Sequence, residues 1–385
     1  MSITVYSVLM SVLCSDIFIL ILFLLRRSKV FTRYYGIAII VFLYIFSIVR
    51  ILIPVEFSFS EVIRSPVFYN SLSTFFNMKV INSEINVLQV LIVVWWVIAI
   101  FLILRYFYSY YLIHNKVFQY KEIQSNNIKS ELDYVNKIYH KKIKVKFRQS
   151  KNISIPMGFG ILHKTIILPE EAYEEKELHY IIAHECNHFY NYDLSLKILT
   201  QLFCCIFWWN PIVYLLKIEL EDTLELKCDL TVSYILSPME RVEYMNTIVS
   251  GLKRSNQKLR SKRETNYSVA FFKEKRKQII KKRLELISRS DIYNKKGYGI
   301  ISLLLVCYIL IYIFSYRYII QPSFSAPAEV DGIQTVGSDQ IEIIKTKEGL
   351  YYLHVCGTDM SVQIPEEEVK THLMGGANLI VEEKE

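Results

Sequence analysis

Four long apolar runs divide the chain. Residues 4–25 are apolar apart from Asp16, residues 34–53 form a second run and residues 86–112 a third, with Trp95 and Trp96 inside it and a Tyr/Phe cluster at its end. The fourth covers residues 298–320. A membrane-spanning helix needs roughly 20 such residues, so each run predicts one span. No small-residue cleavage site follows the first run, which therefore reads as an uncleaved span rather than a signal peptide. Between the third and fourth runs the pattern becomes that of a folded domain. Ile143–Phe147 alternates and predicts a strand, and Thr165–Leu168 predicts another, ended by Pro169. Residues 177–236 carry helical periodicity broken by Asn210-Pro211, residues 239–252 read as a helix, residues 253–268 as a polar, basic loop, and Val269–Arg289 as a basic amphipathic helix.

The segment Leu199–Leu216 is apolar but has only about 17 residues, at the short limit for a span. Asn210-Pro211 near its middle makes a hairpin dipping into the membrane surface the better reading. After residue 320 a Pro/Ser/Ala linker leads to short strand-like runs. Ile341–Ile344 and Leu350–Leu353 flank Lys347-Glu348-Gly349 and predict a β-hairpin.

Charge fixes the orientation. The loop Arg26–Arg33 is short and basic, and Lys and Arg are frequent from Arg105 to Lys296. Basic loops stay inside. The N-terminus is then outside, residues 114–296 are cytoplasmic, and the acidic residues 321–385 are outside. The basic residues before the fourth run lie beside a membrane exit, so they suit anionic lipid rather than nucleic acid.

A chain of 385 residues with 52% hydrophobic residues and net charge +8 is too apolar for one soluble domain. Its seven cysteines make no disulfide framework. Cys186, Cys204, Cys205 and Cys228 fall in the folded domain, as expected of a reducing cytoplasm, and Cys356 is alone in the last segment.

The candidate chemistry is His184-Glu185-Cys186-Asn187-His188, an H-E-x-x-H. Residues four apart share a helix face, so His184 and His188 can hold one metal, while Glu185 is rotated toward its water as a general base. A hydrolytic zinc keeps three protein ligands and an open position. The helix after Asn210-Pro211 carries Glu221, Glu225 and Asp229 at intervals of four. Either Glu225 or Glu221 can complete the set, and the remaining acids can hold the histidines from behind. A chance H-E-x-x-H and a solvated acidic face are the plain alternative, but the two occur together across a Pro-capped turn.

These pieces resemble the peptidase domain of the BlaR/MecR family of membrane sensor-transducers, metallopeptidase family 56. The resemblance rests on His184–His188 with Asp193 after it, Asn210-Pro211, Glu225-Leu226-Lys227-Cys228-Asp229, Pro156–Gly160, Ile166–Pro169 and Arg50–Glu56. It covers most of residues 1–320. It implies Zn2+ held by His184, His188 and Glu225, with Asp229 and Asp193 in support and Glu185 as the base. The fold it implies is mainly α: a four-span helical membrane protein with a cytoplasmic α+β zincin-like (gluzincin) metalloprotease domain. The expected divisions are residues 1–113 with three spans, 114–296 the protease domain, 297–320 the fourth span, and 321–385 a small extracellular β-rich segment.

The implied function is a regulatory zinc endopeptidase that cuts itself, before its last span, or a cytoplasmic winged-helix repressor. The lipid bilayer and a second copy of the chain, as a homodimer, are further expected partners. Residues 321–385 contain no Ser-x-x-Lys, so β-lactam sensing is not expected of them. A housekeeping membrane zinc protease of the stress-response or prenyl-protein-processing type shares the H-E-x-x-H, and a non-catalytic receptor would share the whole fold.

Overall fold

A computed structural model describes residues 4–26, 34–55, 57, 60–65, 68–80, 85–261, 280–288, 298–322, 341–346, 349–355, 361–365, 369 and 378–381. The chain is mainly helical. It divides into two compact units, residues 1–63 with 76–320, and residues 64–75 with 321–385.

In the first unit, α1 (Val5–Leu25) starts at a reciprocal capping box between Thr4 and Ser7. Helix α2 (Tyr34–Leu52) packs against it. Strand β1 (Glu61–Ser65) straddles the division between the units, and helix α3 (Phe68–Asn77) belongs mostly to the second. Helix α4 (Val87–Gln119) runs well past the apolar limit expected at residue 112, because no Pro or Gly interrupts it. Among the described residues, α1 and α4 are long and apolar enough to cross a membrane.

The folded domain begins with β2 (Lys121–Glu122) and α5 (Asn126–Ile138). Strands β3 (Lys146–Ser150), β4 (Met157–Phe159) and β5 (Thr165–Pro169) then build a sheet of order β2-β3-β5-β4, with β3 parallel to β5 and β4 antiparallel at the edge. The expected strand at residues 143–147 instead starts at Lys146. The Asn136 side chain bonds both the N–H and the C=O of Ile143, holding that residue against the end of α5.

Four helices follow: α6 (Glu175–Tyr190), α7 (Asp193–Ile206), α8 (Pro211–Tyr234) and α9 (Pro238–Ser261). Helix α9 corrects the expected loop at 253–268. Lys253–Ser261 contains no helix breaker, and Arg254 is tied to Glu177 at 2.5 Å. Residues 262–268 lie outside the described residues. Of the expected helix 269–289, residues 280–288 are described and are helical (α10).

Helix α11 (Tyr298–Phe314) ends earlier than the apolar run at 298–320. Arg50 of α2 accounts for this stop. Its Nη2 donates to Ser315 O at 2.9 Å, its Nε to Ser315 Oγ at 2.9 Å and its Nη1 to Ser11 Oγ at 2.9 Å. A guanidinium on a terminal carbonyl satisfies a group that the helix leaves unpaired. Strand β6 (Tyr318–Pro322) comes next.

The second unit contains β7 (Ile341–Lys345), β8 (Tyr351–Val355), β9 (Ser361–Ile364) and β10 (Asn378–Val381) in the order β10-β7-β8-β9. The expected hairpin is the antiparallel β7–β8 pair. Gly349 sits at φ 81° in its turn, a conformation that suits glycine.

Candidate metal centre

Helix α6 is held by its apolar stripe. Leu178, Ile182, Ala183, Cys186 and Phe189 pack on Ile166 and Leu168 of β5 and on Ile128, Leu132 and Val135 of α5. This burial turns His184 and His188 toward α8, with ring centroids 4.9 Å apart. Helix α8 is fixed by a different stripe. Leu216, Leu220 and Leu224 pack into the α1–α2 core, which leaves Glu225 facing α6.

Glu225 bridges the two imidazoles. Its Oε2 lies 3.5 Å from His184 Nε2 and its Oε1 3.6 Å from His188 Nε2. Burial pushes its carboxyl upward, but the bonds to His184 and His188 outweigh this and hold it well below the usual carboxylate range. Glu221 lies one turn earlier, half-buried, with Lys217 Nζ at 4.0 Å. The structure therefore brings Glu225 to the histidines and leaves Glu221 aside.

Both histidines are backed through Nδ1. Asp193 Oδ2 lies 2.8 Å from His188 Nδ1. Tyr192, at φ 56°, makes the sharp corner between α6 and α7 that returns Asp193 to His188. Asp229 Oδ1 lies 3.4 Å from His184 Nδ1. The Tyr244 hydroxyl joins this side, 2.9 Å from His184 Nδ1 and donating to Asp229 Oδ1 at 2.7 Å. Arg283 of α10 completes it, with Nε to Asp229 Oδ2 at 2.5 Å and Nη2 to Oδ1 at 2.8 Å. Burial raises the Asp229 carboxyl, and the Arg283 guanidinium more than reverses it, so Asp229 stays ionised.

Glu185 takes no part in these contacts. Its Oε2 accepts the Gly158 N–H of β4 at 2.6 Å. A Cβ at Gly158 would sit 3.0 Å from Phe189 Cζ and 3.2 Å from Glu185 Oε2, so glycine lets the strand approach the helix this closely. A cavity of about 440 Å³ opens between β4, α6 and α9, and is lined by Glu185, His184, His188 and Glu225 together with Met157 and Lys197. Lys197 Nζ lies 3.1 Å from Glu225 Oε1.

Two donor sets share the histidines. Cys228 Sγ, with one nitrogen from each histidine, forms a group whose atoms all lie within 4.8 Å of one another. However, Cys228 lies on the Nδ1 side of His184, at 3.6 Å, and donates to the His184 carbonyl at 3.2 Å. That nitrogen already faces Tyr244 and Asp229. The Nε2 atoms facing Glu225, with carboxylates behind each Nδ1, have the donor chemistry of a metal-ligating pair. Two imidazoles and a carboxylate are a donor set that suits zinc, and the cavity adjoins all three.

Sequence reasoning missed Tyr244, Arg283, Lys197 and the rival donor Cys228. Of these only Cys228 carried a local signal, lying inside the Glu225–Asp229 motif.

The comparisons with known proteins follow the same lines. The chain is 37% identical over 114 residues to the methicillin resistance mecR1 protein of Staphylococcus aureus strain Mu50, covering 29% of this chain and 19% of that protein. It is 26% identical over 144 residues to the regulatory protein BlaR1 of Bacillus licheniformis, covering 34% of this chain and 24% of that one. Against BlaR1 of Staphylococcus aureus it is 25% identical over 164 residues, 42% and 28% of the two chains. The matches thus span about a quarter of these relatives' lengths. The family model for BlaR1 peptidase M56 matches residues 6–287, most of the sequence, and the chain belongs to that family.

Proposed function

We propose that this chain is a membrane-bound zinc endopeptidase of a signalling pathway, hydrolysing peptide bonds in itself or in a cytoplasmic regulator. The observation that carries the reading is the position of Glu225 across both Nε2 atoms, with Glu185 beside them on the cavity wall. His184, His188 and Glu225 would hold the zinc, and Asp229 and Asp193 would orient the histidines. Bound zinc would supply Lewis-acid polarisation of the scissile carbonyl and a more acidic water. Glu185 takes the water's proton at its carboxylate and delivers it to the leaving amine. The Gly158 N–H holds that carboxylate in place. Strand β4 is the sheet edge on the cavity, so an extended substrate can add to it as a further strand.

The relatives named as a resistance protein and as regulatory proteins support a regulatory substrate, with a cytoplasmic winged-helix repressor as the candidate partner. On this reading α1, α2, α4 and α11 all span the membrane, with the basic loops and the zinc site on the cytoplasmic side. The test is hydrolysis by the purified, reconstituted chain. Glu185→Gln should keep zinc and fold and lose cleavage, since an amide cannot accept the proton. Cleavage retained in that variant would remove Glu185 from its role.

A further inference from the structure

Helix α8 runs beside α1 in the same direction, and two polar contacts fix the register between them. Asn210, just before α8, donates to both carboxylate oxygens of Asp16, at 2.9 and 3.1 Å. Further along, Glu219 of α8 pairs with Arg26 at the end of α1. The two contacts are ten residues apart on α1 and nine on α8, as expected for helices of equal rise in parallel. Asp16 lies about 16 Å from the start of α1 and about 14 Å from its end, at about 1.5 Å per residue, and so sits near the middle of that apolar helix.

The turn joining α7 to α8 is therefore level with mid-α1. Helix α4 meets the same turn. Trp95 Nε1 donates to Ile206 O at 2.5 Å, and its ring lies 5.9 Å from that of Phe207. Trp95 is about 12 Å along α4 from Val87. The outer surface at this turn is apolar and open, with Trp209 46% exposed. Ile17 of α1, next to Asp16, and Trp96 of α4, next to Trp95, are likewise apolar and exposed. Residues at that level on two apolar, span-length helices share their solvent, so the covering medium is lipid rather than a protein partner.

We propose that the α7–α8 hairpin is a re-entrant membrane element, reaching from the zinc-site side to the middle of the bilayer and no further. Glu225 lies about 21 Å along α8 from Pro211. The half-thickness of the hydrocarbon layer is about 15 Å, so the candidate metal centre falls about 6 Å beyond it, within the headgroup layer. This consequence rests on the peptidase reading: the substrate class is polypeptide lying against the membrane, within a few residues of a span, rather than a loop free in water.

The test uses the full chain in lipid vesicles, with a nitroxide attached in turn at three exposed positions, I17C, W209C and Y192C. Collision with dissolved oxygen and with a water-soluble nickel chelate reports depth. Ile17 is 55% exposed beside Asp16 and Tyr192 69% exposed at the start of α7. The label at 209 should match the one at 17, with oxygen access and loss of nickel access, while the label at 192 meets nickel. Nickel access at 209 equal to that at 192 would overturn the hairpin, and protection at 209 from both reagents would place protein there instead of lipid. A second measurement offers residues 253–272 as a soluble peptide and as the same segment fused next to a membrane span. Cleavage of the tethered form alone supports the substrate class, and equal cleavage of both overturns it. Cleavage of neither, with label 209 in hydrocarbon, would count against the peptidase reading and leave the hairpin standing.

Discussion

Arg283 grips Asp229 with two parallel bonds, Nε to Oδ2 at 2.5 Å and Nη2 to Oδ1 at 2.8 Å, across 54 residues of sequence. Asp229 is buried and in turn faces His184 Nδ1. The pair links a helix outside the H-E-x-x-H region to the orientation of a metal-facing imidazole.

Removing Arg283 leaves a buried carboxylate without its cation, a change that costs about 3–5 kcal/mol in such settings. Arg283→Met should lower the thermal midpoint at pH 7 and weaken zinc binding by roughly 10–100-fold through His184. The pH dependence has a definite sign. Asp229 is held below its unfolded value, so its contribution is complete above about pH 4 and drains away as pH falls toward the folded value. The gap between wild type and variant should narrow below about pH 4. Thermal unfolding at two pH values measures it, and a constant gap would detach the stabilisation from Asp229 ionisation.

The purified chain should hold about one zinc, since three ligands and a water complete a tetrahedral site. His188→Ala and Glu225→Ala should each lose most of it. Glu221→Ala should keep it, as that side chain faces solvent and Lys217. Cys228→Ser should keep it too, because the thiol lies on the Nδ1 side of His184. Metal analysis of the four variants decides the ligand set. Zinc lost in Cys228→Ser and kept in Glu225→Ala would replace Glu225 by Cys228.

Accessibility tags would establish the topology. Tags at the N-terminus and at Glu385 should be reached from outside intact cells, and a tag within 255–265 should not. An outside tag in 255–265 would reverse the orientation drawn from the basic loops.

Self-cleavage is expected between about Lys253 and Phe272, a stretch rich in polar residues, the composition in which proteolytic nicking concentrates. The helical extent of α9 to Ser261 moves the expected cut toward the later part of that interval, because a protease needs extended backbone. A cut there would separate α10 and its Arg283 from the catalytic helices, so the product should also unfold at lower temperature. Fragment masses from wild type and Glu185→Gln, expressed side by side, provide the check. Identical fragments in both would assign the cut to another protease.

The local features of this protein were legible in its sequence because each depends on neighbours within a turn or two. Span-length apolar runs set α1 and α4, the four-residue spacing put His184 and His188 on one face, and Asn210-Pro211 marked the start of α8. Short strand-forming runs bounded by turn residues found β5 and the β7–β8 hairpin. What sequence left open depended on how elements rotate against one another. Glu221 and Glu225 are equivalent in spacing. Only the packing of Leu216, Leu220 and Leu224 into α1 and α2 turns Glu225 toward the histidines and Glu221 to solvent. Tyr244 and Arg283 carry no motif, since their role comes from reaching one buried carboxylate from two later helices. The end of α11 was hidden for the same reason: Ser315 stops the helix because Arg50, 265 residues earlier in the chain, supplies the donors for its carbonyl and hydroxyl.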